Sequence, residues 1–217
     1  LKLSELPLFI KIMQVCPIPD LEIEDGLKTL RATLLIKREK LSNYNDLLQF
    51  QSALALQCFT NEYLYEETEE EAAAVQLLEE QLKQAYLRNE KLSLYDIACL
   101  ASYRPLSDYP WVKEIKPPSA LGLLFKRQVL EPSKETLIKR VIPRLNAIKD
   151  DTSIAVQNQY EENPYPRWVD TSLEINAVSI KQLVDEKRLK VARDTSFLSK
   201  TPQILIAGCG TGNHALH

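Results

Sequence analysis

The chain has 217 residues, of which 45% are hydrophobic and 26% charged, with a formal net charge of -3. That length suits one large domain or two small ones, with enough apolar material for a sizeable core. The slight acidity argues against a dedicated nucleic-acid binder, which shows a basic face, and no run approaches the ~20 apolar residues of a membrane span.

The N-terminal stretch is apolar in places, but Lys2, Glu5 and Lys11 interrupt it, so it lacks a signal-peptide core. Leu1 opens the chain, and a longer parent protein is expected at both ends. Cys16, Cys58, Cys99 and Cys209 form no C-x-x-C pair. Their spacing suggests neither a disulfide framework nor a zinc site, and reduced thiols in the cytoplasm are expected. The only histidines, His214 and His217, lie at the extreme end, and no metal site is expected.

Helix-period patterns dominate from the start. Ile23, Leu27, Leu30 and Leu34 share one helical face, and Asp20 after Pro19 is a suitable N-cap. Leu47, Phe50, Leu54 and Cys58 make a second stripe, broadened by Ala53, Ala55, Leu56 and Phe59, which predicts a central, mostly buried helix. Val75, Leu78, Leu82 and Ala85 make a third, with Thr68 and Glu71 at capping-box spacing. The acidic run from Glu66 to Glu71 reads as a helix start at the positive end of the dipole rather than a metal or partner site.

Ser93 caps a shorter predicted helix through Ala98 to Ala101. Another is predicted near Leu121 to Val129. A third runs from about Ser133, with Ile138, Val141 and Leu145 on one face and Pro143 kinking or shortening it. Residues 1–150 thus read as an all-α, multi-helix domain. Asp150 to Ser153 reads as a turn and cap for a short helix around Ile154 to Tyr160. The segment Tyr160-Glu161-Glu162-Asn163-Pro164-Tyr165-Pro166-Arg167-Trp168 follows, held extended by its prolines. Ser179 and Gln182 form another capping pair, opening a helix through about Arg188. Residues 151–202 are a linker region.

Residues 203–217 change character. The apolar run Ile204-Leu205-Ile206-Ala207 reads as a buried strand, and Gly208-Cys209-Gly210-Thr211-Gly212 as the turn after it. A P-loop needs lysine after its last glycine, and here Asn213 follows Gly212 with no lysine beyond. A dinucleotide fingerprint needs glycine where Asn213 stands. Strand followed by G-x-G-x-G resembles the first motif of S-adenosylmethionine-dependent methyltransferases of the Rossmann-like class. Together with Gln159 to Trp168 and with Cys16-Pro17-Ile18-Pro19-Asp20, it is similar to a bacterial group of such enzymes often linked to tetratricopeptide repeats, although no repeat is visible here. The resemblance covers most of the chain.

That resemblance implies a fold class that is mainly α: a helical N-terminal domain, a linker, and the first strand and glycine turn of a truncated α/β methyltransferase domain. It implies S-adenosylmethionine as cofactor, with Gly208, Cys209, Gly210, Thr211 and Gly212 against its methionine part, since side chains there would collide with the ligand. Ile206 departs from the acidic residue that the family often carries two places before the first glycine. Tyr160 is a further cofactor-side candidate. The Tyr160–Trp168 segment either folds over the cofactor mouth, with Arg167 meeting a carboxylate, or pins a linker onto a neighbouring domain.

A complete βαβ unit needs ~30 residues, and the family's acidic ribose ligand follows its second strand. The expectation is therefore weak or absent cofactor binding by this chain alone, an unknown methyl acceptor, and no assignable catalytic residue. The lone strand has unpaired edges and would pack on its own helices, self-associate with a second copy, or stay disordered. A different class remains beside this one: a non-catalytic helical module for protein interaction or substrate selection.

Overall fold

The computed structural model describes residues 5–41, 45–143, 149–162, 169, 178–190, 205–206 and 210–212, with backbone alone at 45, 46 and 162. Among the described residues the chain is mainly helical and contains no strand. It divides into two compact units, Leu1–Ala147 and Ile148–His217.

The first unit is built around α4 (Asn45–Thr60). Every residue from Phe50 to Thr60 is buried, polar Gln51, Ser52, Gln57 and Thr60 included. The helix therefore works as a wall with a core on either side. On one side Phe50, Ala53, Leu54 and Cys58 pack with Ile10 and Met13 of α1 (Pro7–Val15) and Leu27 and Leu34 of α2 (Leu21–Ile36). On the other, Ala55 and Leu56 pack with Val75, Leu78 and Leu82 of α5 (Glu69–Leu87) and with Ile97 to Leu100 of α6 (Leu94–Leu100). Leu34 and Leu35 face different cores, so α2 closes the wall along one edge.

Polar side chains in and beside this wall tie helices and their connections together. The Gln57 amide, with its nitrogen toward α1, donates to the carbonyls of Met13 (3.2 Å) and Cys16 (2.9 Å) and accepts from Ile18 N–H (3.0 Å), pinning the α1–α2 connection. Gln51 donates to Ser102 Oγ at 2.8 Å. Arg38, in the short α3 (Arg38–Leu41), donates to Gln81 Oε1 at 2.8 Å and joins α3 to α5.

The helix starts follow their sequence signals. Asp20 accepts from Ile23 N–H at 3.0 Å. Thr68 and Glu71 form the reciprocal capping box, Ser93 caps α6, and Asp150 accepts from Ser153 N–H at 2.8 Å at the start of α9 (Asp151–Glu162). Ser179 caps α10 (Ile180–Glu186) through Gln182 N–H, while the Gln182 side chain donates forward to Glu186 instead of back to the cap.

Two expectations need correction. The helix expected from Leu121 to Val129 and the separate one from Ser133 form one run: α7 (Gly122–Phe125), a π-turn over Lys126–Leu130, and α8 (Glu131–Val141). Glu131 N–H reaches back five residues to Lys126 C=O. Pro132 has no N–H to give, and the wider π-turn lies where that donor is missing. Ser133 does not cap; its hydroxyl donates to Val129 C=O at 2.7 Å. The Gln128 amide at this turn is buried, donates to Ala55 and Ala101 carbonyls at 3.3 and 3.1 Å, and accepts from Leu106 N–H at 3.1 Å. Second, α8 buries none of its residues, so Ile138 and Val141 stand in solvent. The helix ends at Val141, before Pro143 as expected; Leu145 lies outside the described residues.

Helix C-termini are closed without glycine. After α5, Asn89 N–H donates to Tyr86 C=O and Glu90 N–H to Ala85 C=O, the Schellman pattern, with Asn89 at φ +54°. Glu62 (φ +60°) after α4 and Arg188 (φ +49°) after α10 occupy the same position. A side chain at left-handed φ costs about 1 kcal/mol. Asn89→Gly is therefore expected to stabilise the first unit by roughly 0.5–1 kcal/mol, read as a raised midpoint in urea with unchanged slope.

Candidate functional site

The residues singled out in the sequence lie in the second unit. Gly210 and Thr211 form a turn and Gly212 a bend. Gly210 has φ +54° and Gly212 φ +89°, the left-handed region, and a Cβ added to either would meet no heavy atom within 4 Å. Gly208 and Cys209 lie outside the described residues, as do Arg167, Trp168, His214 and His217. Of the expected strand, Leu205 and Ile206 are described, carry no strand conformation, and are 91% and 44% exposed. The buried strand is thus corrected at these two positions. The physical reason is pairing: a strand exists through its ladder, and no strand among the described residues offers one. Tyr160 stands near the end of α9 with its side chain largely in solvent.

A second cluster, absent from the sequence reading, lies inside the first unit. Arg31 of α2 is 1% exposed and Glu71 of α5 is 2% exposed. Arg31 Nη2 donates to Glu71 Oε1 at 3.2 Å and to Glu66 C=O at 2.8 Å, and Nη1 donates to Tyr65 C=O at 3.3 Å. The guanidinium sits 4.2 Å from the Tyr103 ring centroid and 5.7 Å from that of Tyr65. Tyr103 Oη donates to the same Glu71 Oε1 at 2.7 Å, while Glu71 Oε2 accepts from Thr68 N–H at 3.0 Å. Glu71 is thus both the capping-box acid of α5 and the counter-ion of a buried arginine.

One signal could have found this centre. Arg31 lies four residues after Leu27 and three before Leu34, on the apolar face of its own helix. A charge there must have a buried partner. Glu67, next along the acidic run, takes a two-pronged contact from Arg104, one arm at 3.0 Å. Tyr109 donates to Glu79, and Tyr86 to Glu114, around Trp111.

The electrostatics make the buried centre inert. Burial pushes the Cys58 thiol up to about 12, against the lowering effect of Arg31. Burial and the Glu71 hydrogen bond raise Tyr103, and burial raises Tyr65 to about 12. Burial alone would raise Glu71, but the Thr68 N–H, the Tyr103 hydroxyl and Arg31 together hold it below 4.5. The thiol and phenols stay protonated, and the charged carboxylate has both oxygens engaged by hydrogen bonds, so the centre holds helices together.

Among the described residues no group of three or more His, Cys, Asp or Glu side chains could hold a metal ion, and no helix is long and apolar enough to cross a membrane. The chain matches no protein-family model, no curated protein and no solved structure.

Removing the arginine leaves a buried carboxylate without its cation. Arg31→Met is expected to cost about 3–5 kcal/mol, measured by chemical denaturation. Because Glu71 has a lowered pKa in the folded state, its stabilisation is complete above about 4.5 and is lost as pH falls through the folded value. Wild-type Tm should drop below that pH, and Glu71→Gln, less stable at neutral pH, should show a shallower drop. Cys58 and Cys99 are buried and their thiols raised, whereas Cys16 is exposed. A maleimide at pH 7 should label Cys16 within minutes and reach the other two only in denaturant, read by peptide mass.

Proposed function

We propose that the chain carries the helical domain and first cofactor-binding motif of an S-adenosylmethionine-dependent methyltransferase that works in the cytoplasm. The observation that supports this is the use of glycine. The other two described glycines, Gly26 and Gly122, sit in helices. Where the chain needs a left-handed residue elsewhere it employs Glu62, Tyr63, Asn89 and Arg188. Gly210 has a φ that those side chains also adopt, so the angle alone does not require glycine there. The space where a Cβ would stand at Gly210 and Gly212 is open, which suits close approach by a ligand.

In this reading Gly210 and Gly212 lie along the methionine part of the cofactor, with Gly208, Cys209 and Thr211 completing the turn, and backbone N–H groups there meet its carboxylate. The sulfonium is already activated, so the protein's task is to position the methyl group in line with an acceptor. Tyr160 is the residue proposed to close over the site. The unpartnered apolar side chains of α8 favour the second reading, in which the helical unit is an interaction or substrate-selecting module without catalysis.

Titration calorimetry decides between them, using the whole protein that carries this chain. One-to-one binding of S-adenosylmethionine, weakened at least tenfold by Gly212→Val with unchanged circular dichroism, is the expected result. No heat of binding in that folded protein would overturn the methyltransferase reading and leave the module.

A further inference from the structure

We draw no further inference here: the strongest candidate, the exposed apolar stripe of Leu130, Leu137, Ile138, Val141 and Ile142 along α8, is an unpartnered helix face, and nothing in the structure shows what covers it.

Discussion

The first unit depends on one buried charge. A guanidinium taken out of water costs several kcal/mol unless it is paired and hydrogen-bonded. Arg31 meets that cost only when three separate stretches converge: the Tyr65–Glu66 backbone after α4, Glu71 at the start of α5, and Tyr103 after α6. The same Glu71 closes the capping box of α5. The helix start thus presents the acid that the tertiary contact uses, and α5 cannot dock in another register without losing Arg31 and Tyr103 as partners of Glu71. An apolar residue at position 31 would fill the space without fixing that register.

The remaining buried polar groups follow the same logic on a smaller scale. Gln57 holds the α1–α2 connection, Gln51 reaches Ser102, and Gln128 bridges α4, the Ala101 carbonyl just past α6 and the backbone at Leu106. Gln57 and Gln128 meet backbone groups at helix ends and connections, at Cys16, Ile18 and Leu106, that would otherwise be buried without a partner. Since α4 is enclosed from Phe50 to Thr60, its polar residues there have no water to turn to. They act as fixed struts between helices, and the apolar side chains of the two cores fill the space around them.

What was legible in the sequence was local. Asp20, Thr68 with Glu71, Ser93, Asp150 and Ser179 cap helices because their partners lie three residues away. The broad apolar stripe of α4, from Leu47 and Phe50 through Ala53 to Leu56, Cys58 and Phe59, announced its burial. The Arg31 centre was hidden because its partners lie 34 to 40 residues off, and charge on an apolar face names no partner. The run from Gly122 to Val141 reads as two helices in the sequence because a proline, here Pro132, ordinarily breaks one, whereas a single π-turn absorbs it. Helix ends were hard to place because the chain closes them with Glu62, Asn89 and Arg188 where glycine is the usual marker.

That last habit bears on the glycine turn. In most proteins a glycine cluster is explained by backbone angles alone. Here Gly210 (φ +54°) has an angle that ordinary side chains adopt elsewhere in the chain, whereas Gly212 (φ +89°) lies beyond theirs. The angle therefore accounts for glycine at 212 but not at 210. Crowding by the chain's own atoms accounts for neither, because the space beside both is open. In the proposed function that open space is where the cofactor's methionine part would lie, and glycine at 210 keeps it free of a side chain.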